Sequence, residues 1–150
     1  MRVYVASDHA GFELKMALVD FLKSSGYSVV DLGPEKIDPD DDFPDYSVAV
    51  AKKVAQSSDF GILVCGTGQG TALAANKIRG IRAYTAWDEF TAKHARENGD
   101  ANILTLGART INEETVKHLV KVFLETPFSG KEKYIRRINK INELEQSWQK

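Results

Sequence analysis

Gly61-Ile62-Leu63-Val64-Cys65-Gly66-Thr67-Gly68-Gln69-Gly70-Thr71 runs an apolar strand into a turn with three glycines spaced two apart. The only cysteine stands at the mouth of that turn, and Ala72-Leu73-Ala74-Ala75-Asn76-Lys77 beyond it reads as a helix. A buried strand feeding a glycine-rich turn and a helix start lets backbone approach a ligand closely, with several N–H groups pointing one way. Such a place binds an anion or an oxyanion. The same donors would stabilise a thiolate at Cys65, able to act as nucleophile or general base. The turn is not a P-loop, since GxxxxGK[ST] is absent. Nor is it a dinucleotide fingerprint, because Thr71 stands where the third glycine of GxGxxG belongs. With no second cysteine beside it, Cys65 lies outside CxxC disulfide exchange. The plain alternative is a tight packing turn with a small buried cysteine.

On either side of this stretch, strand and helix patterns alternate. Arg2–Ser7 is β-branched and aromatic, a first strand, followed by helical spacing from Gly11 to Ser25 that Gly26 closes. Tyr27–Leu32 is a second strand, stopped by Gly33-Pro34, and an acidic loop over 35–45 leads to a helix from Tyr46 to Gln56 capped by Asp45. Asp59–Cys65 is the third strand, and the helix after the glycine turn ends near Gly80. Ile81–Ala86 is a fourth strand, Trp87–Asn98 a helix turning at Gly99-Asp100, and Asn102–Gly107 a fifth strand. Asn112 caps a helix to Leu124, broken by Thr126-Pro127. A last helix, about 131–147, carries Ile135, Ile138, Ile141 and Leu144 on one stripe, which must pack on this domain or on a second copy.

Continuous apolar strands alternating with helices predict an α/β fold: a five-stranded parallel sheet covered on both faces, three layers in all, with an extra C-terminal helix. Ligands in such folds sit beyond the carboxyl ends of the strands. That rule gathers Ser7-Asp8-His9, the glycine turn from Cys65 to Thr71, and Gly107-Ala108-Arg109.

The 150 residues read as one domain, with 43% hydrophobic and 27% charged residues. Lys and Arg number 20 against 21 Asp and Glu, so no global field draws the chain to nucleic acid or a membrane surface. Apolar runs fall far short of a membrane span, and Met1-Arg2-Val3-Tyr4-Val5 enters a strand pattern without a signal peptide. A lone cysteine fits a reducing cytoplasm.

Asp8-His9 places polar groups where an apolar strand ends. The pair could bind a hydroxyl and an anionic group, or be a helix cap and a surface histidine. Lys131, Lys133, Arg136, Arg137 and Lys140 make a basic face suited to phosphate, to an acidic partner, or to solvent alone. Asp38-Pro39-Asp40-Asp41-Asp42 lacks the glycine and terminal glutamate of an EF-hand loop and reads as solvated. His9, His94 and His118 have no zinc spacing, so no metal is expected.

Ser7-Asp8-His9-Ala10-Gly11-Phe12-Glu13-Leu14-Lys15, Cys65-Gly66-Thr67-Gly68-Gln69-Gly70 and Ala74-Ala75-Asn76-Lys77 together resemble the ribose-5-phosphate isomerase B family, which includes allose- and galactose-6-phosphate isomerases. The resemblance continues through Asp42-Phe43-Pro44-Asp45-Tyr46, Gly80-Ile81-Arg82-Ala83, Asn102-Ile103-Leu104 and Gly107-Ala108-Arg109 to Thr126-Pro127-Phe128 and Arg136-Arg137-Ile138. It implies a flavodoxin-like doubly wound sheet, no cofactor, and a homodimer whose sites borrow residues from the partner subunit, with a tetramer left open. It implies aldose–ketose interconversion of a phosphosugar, ribose 5-phosphate and ribulose 5-phosphate first, through an enediolate. Cys65 would be the base, and the amides of Gly66, Gly68 and Gly70 with Thr67 would hold the enediolate oxygen. Asp8 would assist ring opening; His9, Arg109 and Arg137 would hold the phosphate.

The chain departs from this pattern at two points. Asn98 stands where many members have a ring-opening histidine, and His94 lies four residues earlier on the same helical face as a stand-in or a surface residue. Lys133-Tyr134 replaces Arg-His, keeping a charge but not the bidentate fork. Some relatives carry a glutamate base where Thr71 stands; this chain follows the cysteine version. The alternatives are a hexose-6-phosphate isomerase, a phosphosugar-binding module without turnover, and a flavodoxin-like nucleotide or flavin binder.

Overall fold

The computed structural model describes residues 1–147. Five parallel strands form its sheet: β1 (Arg2–Ser7), β2 (Ser28–Asp31), β3 (Phe60–Cys65), β4 (Ala83–Thr85) and β5 (Ile103–Gly107). Their order is β2-β1-β3-β5-β4. The helices are α1 (Phe12–Ser24), α2 (Phe43–Ala55), α3 (Gln69–Ala75), α4 (Glu89–Gly99), α5 (Glu113–Glu125) and α6 (Glu132–Ser147). No helix among the described residues is long and apolar enough to cross a membrane.

The period-two alternation of the strands builds two cores. Val3, Val5, Ile62, Val64, Leu104 and Leu106 face α1, α4 and α5, against Leu18, Leu22, Leu119 and Phe123. Tyr4, Ala6, Leu63 and Ile103 face the other way, against Val50, Ala51 and Val54 of α2 and Ala75 of α3. Burying one such leucine or phenylalanine contributes about 2 kcal/mol. The three layers are those expected from sequence.

The strand order is not the 2-1-3-4-5 of flavodoxin. Every residue of β5 is buried, whereas the three residues of β4 end in exposed Tyr84 and half-buried Thr85. The fully buried strand therefore takes the interior position and the short, partly exposed one the edge.

Element boundaries also move. Helix α2 starts at Phe43, not Tyr46, with Pro44 in its first turn; Asp45 lies inside that turn, and Asp42 occupies the cap position without a side-chain hydrogen bond. Proline is tolerated there because the first N–H groups of a helix lack intrahelical partners anyway. Helix α3 begins inside the glycine turn and stops at Ala75. Asn76 then turns its amide to the edge strand, accepting from Ala83 N at 2.8 Å and donating to Ala83 O at 2.9 Å. Trp87 precedes α4, which Asp88 caps.

Helix α6 buries none of its residues fully. Glu145 accepts from Gly80 N at 3.0 Å, and Ile138 is half-buried, but Leu144 remains 61% exposed.

Candidate active site

Three loops leave the carboxyl ends of the adjacent strands β1, β3 and β5 and are stitched together by backbone. Asp8 N donates to Val64 O at 3.2 Å, Ala108 N to Cys65 O at 2.8 Å, and Arg109 N to Gly66 O at 3.0 Å. The segments picked out in the sequence by the strand-end rule thus lie side by side.

Cys65 Sγ sits at the floor, 5% exposed. Gly68 N donates to it at 3.0 Å, and the buried Thr71 hydroxyl lies 3.7 Å away. Gly68 is where glycine is required: its φ is 80°, and a Cβ would meet the backbone of Leu106 at 3.0 Å. The left-handed turn there is what aims the Gly68 N–H back at the sulfur. Thr71 Oγ1 is also 3.0 Å from Gly68 O, so one hydroxyl braces the turn and faces the thiol. Thr67 stands exposed at the rim, where its hydroxyl accepts from Gln69 N at 3.4 Å. Gly70 lies within α3, against the ring of Phe43. The Arg109 guanidinium lies over Gly66, within 3.4 Å of where a Cβ would stand.

At the β1 end, Asp8 is buried and caps a short 3-10 turn, its Oδ1 accepting from Gly11 N at 3.1 Å. Capping does not exclude a second role, since a carboxylate has two oxygens. His9 is held by a residue of the acidic loop. Asp41 Oδ1 accepts from His9 N at 3.1 Å and pairs with His9 Nδ1 at 2.7 Å. The hydrogen bond to Asp41 holds the imidazole above the ordinary histidine value; burial opposes it, the Asp8 and Asp41 charges add to it, and Arg109 works against it. The acidic loop is therefore not simply solvated, as expected from sequence, because one of its carboxylates turns inward.

The remaining site residues form a separate group between α4 and α6. Tyr84, His94, Asn98, Tyr134, Arg137 and Ile138 line one pocket. His94 is exposed, its ring 5.7 Å from that of Phe90. The Arg137 guanidinium and the Lys133 ammonium both lie against Tyr134, at 5.7 and 4.8 Å from its ring centre. Lys133 itself is exposed, outside that pocket lining.

The sequence pattern of the family described as Ribose/Galactose Isomerase matches residues 3–141. The chain belongs to that family. Ribose-5-phosphate isomerase B of Mycolicibacterium paratuberculosis is 39% identical over 150 residues, covering 99% of this chain and 94% of the relative. Among solved structures, ribose-5-phosphate isomerase B from Mycoplasma genitalium, with bound ribulose-5-phosphate, has a TM-score of 0.93 at 41% identity, covering 97% of this chain and 96% of that one. The Thermotoga maritima ribose 5-phosphate isomerase has a TM-score of 0.91 at 43% identity, covering 95% and 97%.

As a member of the ribose/galactose isomerase family, the chain carries its sequence-derived site residues in two groups. Cys65, Gly66, Thr67, Gly68, Gly70, Asp8, His9 and Arg109 gather at the strand ends, while His94, Asn98 and Arg137 share the second pocket. Two residues beside the candidate site carry no role in the sequence pattern: Asp41, hidden among neighbouring aspartates, and Thr71, which there marks only the missing third glycine of GxGxxG and the place of another base. Charge runs do not reveal which carboxylate faces inward. The three-residue spacing from Gly68 to Thr71 was the one signal available for the threonine, because it places the hydroxyl over the preceding turn.

Proposed function

We propose that this chain is an aldose–ketose isomerase that interconverts ribose 5-phosphate and ribulose 5-phosphate, with Cys65 as the base. The observation that carries the reading is Cys65 Sγ at the meeting point of three strand-end loops, with an N–H donor 3.0 Å away. It is joined by likeness to the Mycoplasma genitalium ribose-5-phosphate isomerase B structure with bound ribulose-5-phosphate.

In this reading, Cys65 takes the proton from C2 of the open-chain aldose. The C–H electron pair forms the C1–C2 double bond, and the carbonyl electrons move to oxygen, giving the enediolate. Backbone N–H groups of the 66–70 turn and the Thr67 hydroxyl meet that charge, which is what makes a carbon acid beside a carbonyl acidic enough to react. Return of the proton from Cys65 to C1, with the 2-hydroxyl proton passing to the C1 oxygen as C2=O forms, gives the ketose. Asp8 binds the ring oxygen or a hydroxyl during opening. His9, Arg109 and Arg137 hold the phosphate, with Lys133 adding charge nearby; the phosphate is remote from the reacting carbons, so its binding can orient them.

The 150 residues act as one isomerase domain, needing no cofactor, and the working unit is a homodimer. Two observations support the dimer: Arg137, Asn98 and His94 line a pocket apart from the cysteine loop, and α6 carries an uncovered apolar stripe. A second copy laid on that stripe would bring its Arg137 to the cysteine side. A free thiol and a phosphosugar substrate suit the cytoplasm.

The test is conversion of ribose 5-phosphate to ribulose 5-phosphate by wild type and Cys65→Ala, with allose 6-phosphate in parallel. Wild type is expected to turn over the pentose; Cys65→Ala should lose turnover yet bind the phosphosugar. Turnover of the hexose alone would move the substrate assignment within the family. Near-wild-type activity in Cys65→Ala would remove the cysteine as base.

A further inference from the structure

The Asp41 side chain is 5% exposed, and its Oδ2 is buried with no hydrogen-bond partner. Its Oδ1 has two donors, the backbone N–H and the Nδ1 of one residue, His9, whose side chain is 34% exposed. Burying a carboxylate is costly unless a cation compensates it. No lysine or arginine forms an ion pair with Asp41 among the described residues; the His9 imidazole is what faces it. Nearby Tyr46 offers a phenol, not a cation, and its hydroxyl is held above the ordinary range by burial first, then by the Asp41 charge and by the phenol's hydrogen-bonding approach to that carboxylate.

We propose that Asp41 is the positioning residue of His9: by taking Nδ1–H and the backbone N–H together, it fixes the ring so that Nε2–H is presented to the substrate's phosphate. This rests on the reading of His9 as a phosphate ligand. A phosphate oxygen needs a donor, and a neutral imidazole protonated on Nδ1 would offer it a lone pair instead. The Asp41 contact therefore serves only if the ring is an imidazolium, and the groups facing it fit that. Asp8 from the β1 end and Asp41 from the acidic loop favour the charged form, and Arg109 from the β5 end opposes it. Losing Asp41 leaves Arg109 less opposed, and the ring gives up its proton at lower pH.

The sequence does not point to this arrangement, because Asp41 lies 32 residues from His9. It follows from the loop after β2 folding back across the end of β1, where Ser7 N donates to Gly33 O at 3.0 Å.

The test compares wild type, Asp41→Asn and Asp41→Ala by NMR titration of the His9 imidazole, assigned with His9→Asn, and by ribose 5-phosphate KM and kcat at pH 6 and pH 8. Asp41→Asn keeps the shape and a hydrogen-bond acceptor while removing the charge, so amide spectra should match wild type. Both variants should lower the His9 titration midpoint. KM should rise about tenfold at pH 8 in Asp41→Ala, more than at pH 6 and more than kcat falls, the size expected for losing a charged hydrogen bond. An unchanged midpoint overturns the proposal, as does a KM loss equal at both pH values, the mark of a structural role. If wild type neither turns over nor binds ribose 5-phosphate, the function reading fails, while the titration still reports whether Asp41 governs the ring.

Discussion

The sulfur of Cys65 accepts from a backbone N–H that cannot be removed by mutation and faces a hydroxyl that can. Thr71 Oγ1 is buried, 3.7 Å from Sγ, and its position is held by Gly68 O at 3.0 Å. A donor fixed beside a base stabilises its charged form without reorganising during the reaction. Thr71→Val keeps the volume and removes the donor, so kcat should fall by about three- to tenfold with KM nearly constant. Steady-state kinetics on ribose 5-phosphate check this, and a kcat equal to wild type would show the hydroxyl to be a brace for the turn only. Cys65 was legible in the sequence because a lone thiol directly before alternating glycines is hard to explain by packing. Its hydroxyl neighbour was less so, since a threonine in a helix start fits many roles. Asp41 was illegible, because nothing local separates it from Asp40 or Asp42.

Helix ends carry their own chemistry. Asp88 Oδ1 accepts from Thr91 N at 2.7 Å, and the Thr91 hydroxyl accepts from Asp88 N at 3.2 Å, closing a reciprocal cap on α4. The bond from the Thr91 N–H, then that from its hydroxyl, holds the Asp88 carboxyl below its ordinary value of 3.8. A carboxyl lowered in the folded state adds stability above the unfolded value and loses it as pH falls through the folded one. Asp88→Ala should therefore melt below wild type at pH 7, and the gap should narrow as pH falls below 3.8. Thermal unfolding at pH 7 and in acid checks both the offset and its direction. The cap matters for the site because α4 carries His94 and Asn98. Where sequence signals sat at helix ends, two outcomes appear: Asn112 caps α5 as expected, while Asp45 does not cap α2. Several polar residues near Pro44 compete for one cap position, and packing of the Phe43 ring over Gly70 places the start earlier.

The described residues place the candidate site residues in two groups, one at the strand ends and one between α4 and α6. If a homodimer joins them across its interface, Cys65→Ala and Arg137→Ala damage different halves of each composite site. At a ribose 5-phosphate concentration too low for Arg137→Ala to turn over, co-expressing the two variants should then restore about a quarter of wild-type activity, because half the dimers are mixed and each of those has one intact site. Sites contained within one subunit would give no recovery, and a monomeric mass in solution would sink the arrangement outright.

Periodicity and strand-end chemistry were enough to establish the α/β class, the five strands, the two covered faces and the convergence of Asp8, His9, Cys65 and Arg109. These depend on local alternation and on a rule that holds for any parallel sheet. Folding in three dimensions was needed for the placement of β5 inside β4, the inward turn of Asp41 and the separation of Arg137 from Cys65. Each of those depends on contacts between residues distant in the chain, where burial and charge pairing choose among partners that look alike in sequence.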